Sequence, residues 1–363
     1  MLTLVHAADV HLETTFADVR GGNRRRAALA DAFVRIVDLA LERRADVLTI
    51  GGDLFEAERA GPQTARLIFE QFARFAKPVF VTPGNHDPYA ARSLYARDDL
   101  PPNVRVFGEA AWVAFPLADD VTLYGFGHTP AEPGRPFASA RFERPGIRIA
   151  LVHGSDEARC PPGKRATAPY TVDEIRASGA TVALSGHYHG GYTVSDETGA
   201  PILAYPGSPE PIKFGERDAH GALVVRVSDR IEIEHVELAR THLVDLDIRL
   251  DGATSEFAVG ALVDAALAPF GATDYVRAHL HGTIERGTRV DRELLFDRAA
   301  AGLGALELFD HTVAADYAAL GREPNVRGHA IADLLARATD GDADAQRALA
   351  FVVAAFEGTV IAP

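Results

Sequence analysis

The first part of the chain alternates between strand patterns and helical patterns, and this alternation constrains the fold most. Apolar runs of strand length occur at 3–9, 46–53 and 78–84. Between them, residues 23–44 and 62–76 place apolar side chains at helical spacing. This order of three strands joined by two helices predicts an α/β fold. Such a fold has right-handed crossovers and a mostly parallel sheet covered by helices.

From residue 104 the pattern changes to many short strand-like runs, interrupted by one short helix at 171–179. So many strands predict two sheets that face each other. A domain boundary is predicted near Ala239–His242. Beyond it we expect a strand, a helix at 255–268 and an alternating strand at 275–284, followed by helical patterns. The predicted parts are a large domain (1–240), a small α+β domain (241–290) and a helical C-terminal region (291–363), with helices at 291–303 and 328–357.

Composition and charge restrict the class of protein. No run of about 18 apolar residues is present, so we expect no membrane-spanning helix. The single cysteine, Cys160, excludes an internal disulfide and fits a cytoplasmic protein. The net charge is −14, and residues 241–363 hold 10 Lys+Arg against 19 Asp+Glu, a balance of −9. Such acidity disfavours nucleic-acid binding unless metal ions or a local arginine cluster supply positive charge.

Five short motifs carry the residues with metal-binding chemistry, and each stands at the end of a strand-like run. They are ADVH (Asp9, His11), GGDLFE (Asp53), PGNHD (Asn85, His86, Asp87), VHG (His153) and GHYH (His187, His189). The carboxyl ends of the strands form the ligand crevice of open α/β sheets. We therefore expect residues far apart in sequence to meet at one edge.

The residue types in these motifs suit divalent metal ions. Residues two apart in an extended segment point the same way, so each D-x-H or H-x-H can offer two ligands to one point. Carboxylate, imidazole and amide oxygen suit Mn, Fe, Zn or Mg. Seven candidates exceed the needs of one tetrahedral ion and fit two ions that share a carboxylate. Two ions about 3.5–4 Å apart clamp the oxygens of phosphoryl transfer and turn a bridging water into a nucleophile.

Each motif taken alone has a structural explanation, because D-x-H recurs by chance and GGD or GNHD are common turns. Their joint occurrence at five strand ends is what indicates a site. A second H-x-H, His279 and His281, lies in mid-strand between apolar neighbours and has no glycine-bounded acidic partner. We interpret that pair as one polar face of a strand.

The five motifs, in this order, resemble those of the calcineurin-like metallophosphoesterases over about residues 1–215. HAADVHLE, GGDLF, TPGNHDP and YPGSPEPIKFGE are similar, more narrowly, to the nuclease subunits of bacterial SbcCD complexes and their double-strand-break repair relatives. The resemblance implies a four-layer α/β/β/α sandwich with a small α+β capping domain. It also implies manganese-dependent hydrolysis of DNA phosphodiester bonds, an SbcC-like coiled-coil ATPase as partner, and a homodimer.

The resemblance further implies a role for each motif residue. One ion would be held by Asp9, His11 and His189, and the other by Asn85, His153 and His187, with Asp53 as the bridge. The implied metal is Mn²⁺, with Mg²⁺, Fe²⁺ or Zn²⁺ as alternatives. His86 would face the scissile phosphate and stabilise the transition state or protonate the leaving 3′ oxygen. Asp87 would orient His86, or act as a turn residue before Pro88.

One residue departs from the resemblance. Nucleases of this group have a histidine directly after D-L-F, where this chain has Glu56. A carboxylate beside the substrate phosphate is expected to repel it, which would weaken or change the nuclease activity. Two alternatives therefore stay open: a phosphodiesterase or phosphomonoesterase for small substrates such as cyclic nucleotides, and a non-catalytic scaffold with a vestigial site. The complete ligand set and His86 disfavour the scaffold.

Overall fold

The computed structural model describes residues 1–16, 22–131, 133–216, 218–251, 253, 255–284 and 287–340, and a few residues after 340 (342, 344, 345, 348, 349, 352 and 356). These residues divide into two compact units, which meet in sequence between Thr241 and His242. The elements of the first unit are β1 (Leu2–Ala7), α1 (Gly22–Glu42), β2 (Val47–Ile50), α2 (Pro62–Phe75), β3 (Val79–Val81), β4 (Val104–Val106), β5 (Val113–Ala118), β6 (Val121–Phe126), β7 (Ile147–His153), α3 (Val172–Ser178), β8 (Val182–Gly186), β9 (Tyr192–Ser195), β10 (Pro201–Tyr205), β11 (Gly221–Val227) and β12 (Ile231–Glu237).

The twelve described strands of this unit form two six-stranded sheets. The first has the order β12-β11-β1-β2-β3-β4, and its four strands β1 to β4 are parallel. The second has the order β5-β6-β7-β8-β10-β9, in which β6, β7, β8 and β10 are parallel. The expectation of a largely parallel, helix-covered sheet followed by a second sheet is confirmed.

Alternating burial along the strands stacks the unit into four layers. Leu4 packs between the sheets, whereas its neighbour Val5 packs against α1 and α2 on the opposite face of the first sheet. In the second sheet Leu151 faces the interior between the sheets, and Val152 packs outward with Ile175 of α3. Helices, sheet, sheet and helix therefore form the α/β/β/α sandwich, which confirms the expected fold class.

The second unit is a parallel sheet of three strands. Its described elements are β13 (His242–Arg249), α4 (Glu256–Leu267), β14 (Asp274–Ile284), α5 (Arg292–Ala299), β15 (Ala305–Ala314), α6 (Ala315–Leu320) and α7 (Val326–Thr339). Strand β14 lies between β13 and β15 and is parallel to both. Val263 and Leu295, from the crossover helices, pack with Val276 and Leu306 of the sheet in one apolar core.

The predicted boundary at residue 290, between the small α+β domain and a helical C-terminal region, does not agree with the position of strand β15. Helical patterns flank this segment in the sequence, and the strand between them is not among the predicted elements. Because β15 pairs with β14 from Tyr275 to Ile284, the sheet continues past residue 290 within one compact unit. The helix expected at 291–303 appears as the shorter α5. Helix α7 covers the first part of the helix expected at 328–357, and the described residues 344, 345, 348, 349, 352 and 356 are helical as well. Most of the residues after 340 lie outside the described residues.

His279 and His281 lie on the face of β14 that points away from the crossover helices, as the interpretation of a polar strand face requires. The sheet adds a third imidazole, because His311 of β15 is paired directly with His281. The rings of His279 and His311 are stacked, with centroids 5.5 Å apart. None of the described helices combines the length and apolarity that a membrane crossing requires.

The four-layer arrangement predicts which leucine side chains contribute most to the free energy of unfolding. Leu151→Ala removes a fully buried side chain between the two sheets and is expected to lower the free energy of unfolding by about 2–5 kcal/mol. Leu41→Ala makes the same chemical change at a side chain that is 41% exposed, so it should cost less than about 1 kcal/mol. Urea denaturation of both variants tests the layer assignment, and equal losses would contradict it.

Candidate metal centre

Five strand ends position the candidate residues. Asp9 and His11 follow β1, Asp53 follows β2, and Asn85 follows β3 in the first sheet. His153 is the last residue of β7. His187 and His189 come directly after β8, which neighbours β7 in the second sheet. Both sheets thus deliver their parallel strand ends to one edge, and the structure brings all seven metal-ligand candidates together there.

Asp53 lies at the centre of the arrangement. Its Oδ1 accepts a hydrogen bond from the backbone N–H of His86 at 2.8 Å, which fixes the carboxylate. Its Oδ2 lies 3.3 Å from Nε2 of His153 and 3.7 Å from Nε2 of His11. One oxygen is therefore used for positioning, and the other stands between imidazoles from the two sheets. This is the arrangement that a bridging carboxylate needs.

A first donor cluster joins Asp9, His11 and His189, whose ligand atoms lie within 4.8 Å of one another. His11 donates from Nδ1 to Glu56 at 2.9 Å, and His189 donates from Nδ1 to Glu216 at 2.7 Å. Carboxylates on the distal nitrogens fix ring orientation and tautomer, as they do for metal-ligating histidines. Nε2 of His11 is buried and has no hydrogen-bond partner among the residues that the structure describes. An orphaned, buried nitrogen of this kind fits a cation.

A second donor cluster joins Asp53, His153 and His187 within the same limit of 4.8 Å. His153 donates from Nδ1 to the carbonyl oxygen of Gly51 at 2.8 Å, so its Nε2 is the nitrogen available to a ligand. Oδ1 of Asn85 lies 3.0 Å from this Nε2 and completes a set of nitrogen and oxygen donors. Asp53 belongs to this cluster and lies 3.7 Å from Nε2 of His11 in the first one. Two clusters linked in this way fit a centre of two divalent ions, and neither contains a thiolate.

The electrostatics of the buried groups favour a cation at the same place. Burial lowers the pKa of His187 to about 3, helped by the charge on His153, so its lone pair is free. Burial also lowers the pKa of His153, but the carboxylates of Asp53 and Asp9 outweigh it and raise the pKa to about 9. Burial raises the pKa of Asp53, yet the attraction of His153 and His11 keeps it well below its usual range. The paired charges of Asp53 and His153 therefore occupy a position where a metal ion would displace a proton.

The backbone of the site is strained. Asp9, His11 and Asp53 have φ angles of 55°, 51° and 51°, and His187 has a φ of 114°. Left-handed conformations of non-glycine residues cost about 1–3 kcal/mol each and cluster at functional sites. A Cβ on Gly84 would lie 2.2 Å from Oδ1 of Asp53, so only glycine allows the PGNH loop to come this close. The fold holds these residues in place at a cost in stability.

His86 stands at the mouth of the site. Its side chain is 44% exposed, and its Nδ1 bonds to Oε2 of Glu56 at 2.8 Å. Its ring lies edge-on to that of His11, with centroids 4.8 Å apart. The hydrogen bond with Glu56 raises the pKa of His86, although burial opposes it. Since Nδ1 of His86 is hydrogen-bonded to the carboxylate of Glu56, Nε2 is the nitrogen that can interact with a ligand.

The prediction that Asp87 orients His86 is corrected by the structure. The carboxylate of Asp87 is fully buried and accepts hydrogen bonds from the backbone N–H groups of Asp53, Leu54 and Gly84. It also accepts one from the hydroxyl of Tyr95 at 2.6 Å. The ring of His86 is oriented by Glu56 instead. Asp87 therefore ties the loops after β2 and β3 together and acts as a positioning residue.

Two carboxylates that support the imidazoles are not among the residues predicted from the sequence. Glu216 holds His189 through Oε1 and accepts the backbone N–H of Ile212 through Oε2 at 2.7 Å. Glu216 is the last residue of the stretch YPGSPEPIKFGE, whose resemblance gives no role to this carboxylate. Glu56 was considered only as a repulsive charge, whereas both of its oxygens are hydrogen-bonded to His11 and His86. No local spacing links either carboxylate to its histidine.

A cleft of about 700 Å³ opens over the two clusters. His11, Asp53 and His86 form part of its floor. Its walls carry the cationic side chains of Arg59, Arg159 and Lys213, the acidic side chains of Glu56, Glu216 and Asp218, and the aromatic rings of Tyr188 and Tyr192. The guanidinium of Arg159 lies 4.1 Å from the ring centroid of Tyr192. Arg59, Arg159 and Lys213 are the side chains of this cleft that can bind an anionic group near the metal ligands.

The family model for the calcineurin-like phosphoesterases matches residues 2–191, which is more than half of the chain. The chain belongs to this family, and it carries residues suited to a dimetal centre. The matched range contains all five motifs, from Asp9 to His189.

Three curated relatives are similar at about the same level. The uncharacterized metallophosphoesterase YhaO of Bacillus subtilis is 25% identical over 243 residues, which cover 63% of this chain and 58% of that protein. The DNA double-strand break repair protein Mre11 of Methanopyrus kandleri is 25% identical and covers 68% of this chain and 57% of that protein. The protein of the same name from Aeropyrum pernix is 26% identical, and the match covers 92% of this chain and 86% of that protein. The chain spans a little over half the length of the first two.

The buried position of Asp87 generates a test of its role. Asp87→Asn replaces one acceptor oxygen with a donor group that faces backbone N–H groups, so unfolding should become easier by at least about 1–3 kcal/mol. Tyr95→Phe removes a single hydrogen bond to the same carboxylate and should cost about 0.5–1.5 kcal/mol. Denaturation curves give both values. A stable but inactive Asp87→Asn would restore the catalytic role that the geometry denies.

Proposed function

We propose that this chain is a nuclease that hydrolyses DNA phosphodiester bonds with two divalent ions, and Mn²⁺ is the metal that we propose. The observation that carries the proposal is a pair of donor clusters, linked where Oδ2 of Asp53 lies 3.7 Å from Nε2 of His11, with His86 beside them at the mouth of a cleft. Two relatives that bear the name DNA double-strand break repair protein support DNA as the substrate. An SbcC-like ATPase and a second copy of this chain are the partners that we propose with it.

The proposed ligand sets follow the two clusters. Asp9, His11 and His189 would hold one ion, and Asn85, His153 and His187 would hold the other, with Asp53 as the ligand between them. When bound, the ions supply positive charge for the phosphate oxygens and lower the pKa of a nucleophilic water. Glu56, Glu216 and the carbonyl of Gly51 keep the ligand nitrogens of His11, His189 and His153 in the required tautomers.

His86 is the proposed general acid or transition-state stabiliser. Its backbone N–H is fixed on Asp53, and its ring is fixed on Glu56, so Nε2 is aimed from a rigid loop. Its partial exposure lets it reach a phosphate that lies in the cleft. From this position it can donate a hydrogen bond to a phosphoryl oxygen, or a proton to the leaving 3′ oxygen.

DNA is favoured over small phosphodiesters by the cations along the cleft. Arg59, Arg159 and Lys213 line this cleft and can bind backbone phosphates of a polyanion that lies in it. Cyclic nucleotides are the second candidate, because the chain has a net charge of −14 and the cleft also carries Glu216 and Asp218. A small substrate would need fewer of the cations than a polyanion does.

The two ligand sets predict different consequences for two neighbouring histidines. His189→Ala should empty the position beside Asp9 and His11, whereas His187→Ala should empty the position beside Asn85 and His153. Wild-type crystals soaked in Mn²⁺ should show two ions per chain, and anomalous diffraction from the variants should show which one is lost. The opposite pattern of loss would mean that the ligands are right but are assigned to the wrong ions.

The substrate proposal predicts a ranking of turnover with Mn²⁺. Single-stranded DNA and duplex DNA with defined ends should be cleaved faster than cyclic nucleotides or p-nitrophenyl phosphates. His86→Ala should keep both ions and lose about 10²–10⁴-fold in kcat. Asp53→Asn, purified in parallel, controls for contaminating nucleases. Cleavage of cyclic nucleotides alone would favour the second candidate, and no cleavage of any substrate would indicate a scaffold.

A further inference from the structure

A single carboxylate connects a candidate metal ligand to the proposed catalytic histidine. Oε1 of Glu56 accepts from Nδ1 of His11 at 2.9 Å and from the hydroxyl of Thr14 at 3.1 Å. Oε2 of the same group accepts from Nδ1 of His86 at 2.8 Å. The two rings therefore lie on the two oxygens of one side chain, which is itself only 16% exposed.

We propose that Glu56 is a positioning residue that sets the tautomer and the direction of His11 and His86 together. This inference rests on the proposed function, since it gives His86 a catalytic role. Donation from both Nδ1 atoms leaves Nε2 of His11 free for a metal ion and Nε2 of His86 free for the substrate phosphate. Glu56 thereby ties the alignment of the phosphate-facing ring to the alignment of the metal ligand.

The backbone around Glu56 is built to hold this position. Its own N–H donates to the carbonyl of Leu12 at 2.9 Å, beside His11. The N–H of the next residue, Ala57, donates to the carbonyl of His86 at 3.0 Å. The segment after β2 is thus joined to the segments after β1 and β3 by main-chain bonds, and the carboxylate repeats the same two connections through side chains.

A carboxylate is the group that this geometry requires. It offers two acceptor oxygens in one plane, so it can accept from two N–H groups at once. A histidine in its place has at most one acceptor nitrogen when neutral, and it would leave one of the two rings without its partner. The expectation that Glu56 repels substrate is therefore replaced: its charge faces two imidazoles, and Glu56→His should lower activity rather than raise it.

Glu216 provides a matched comparison within the same chain. Like Glu56, it accepts from Nδ1 of a ligand in the first cluster, His189. Its other oxygen accepts from the backbone N–H of Ile212, whereas the other oxygen of Glu56 accepts from His86. Loss of either carboxylate should weaken the same metal ion, and loss of Glu56 alone should also release the ring of His86.

The first measurement needs no turnover. In the metal-free protein, ¹⁵N NMR of the imidazoles should show His86 protonated at Nδ1 in the wild type and in Glu216→Ala, but not in Glu56→Ala. Titration with Mn²⁺ should show affinity reduced about 10–100-fold by either substitution. An unchanged His86 tautomer in Glu56→Ala, or unchanged affinity, would overturn the proposal. Melting curves of all variants confirm that the fold is retained.

The second measurement is a double-mutant cycle at saturating Mn²⁺. Glu56→Ala should reduce kcat at least about 10-fold more than Glu216→Ala does, and it should have little further effect when His86 is already alanine. Equal losses with and without His86 would overturn the coupling, as would faster turnover in Glu56→His. If the wild type turns over none of the substrates, the proposed function fails, whereas the tautomer and affinity results still decide the role of Glu56.

Discussion

The position of the Asp53 carboxylate is the constraint on which the rest of the site depends. Oδ1 is held by a backbone N–H from the loop after β3, and Oδ2 is left between imidazoles that come from different sheets. This requires the loop after β3 to approach so closely that Gly84 has no room for a side chain. It also requires the buried Asp87 to gather the N–H groups of both loops. Main-chain geometry therefore determines where the carboxylate of Asp53 lies at this edge of the sheets.

Much of the fold and the main ligand set could be predicted from the sequence, because each depends on local patterns. Apolar runs of strand length ended at the motif residues, and parallel strands bring such ends together whatever their separation in the chain. The same reasoning failed for β15, where only alternate residues such as Leu306 and Leu308 face the core. Helix-forming alanine and leucine on both sides of this segment hid its period of two.

The supporting residues could not be predicted, since their partners lie far away in sequence. Glu56 meets His11 across 45 positions, and Glu216 meets His189 across 27. His6 is another example: it interrupts an apolar run, yet its Nε2 reaches the carbonyl of Ser185 in the second sheet at 3.2 Å. Burial lowers the pKa of His6 to about 4, so it joins the sheets as a neutral ring beneath the candidate centre. These pairs form only when the chain folds and brings distant segments into contact.

The division of the ligands between the two sheets has a mechanical consequence. Residues after β1, β2 and β3 belong to one sheet, and residues at the ends of β7 and β8 belong to the other. Two ions held as proposed would fasten the sheets at one rim, while apolar burial and hydrogen bonds such as that of His6 to Ser185 join them below without a metal. A chelator would then act on this sandwich much as a reductant acts on a disulfide: the layers stay packed, but the rim loses its crosslink and opens first.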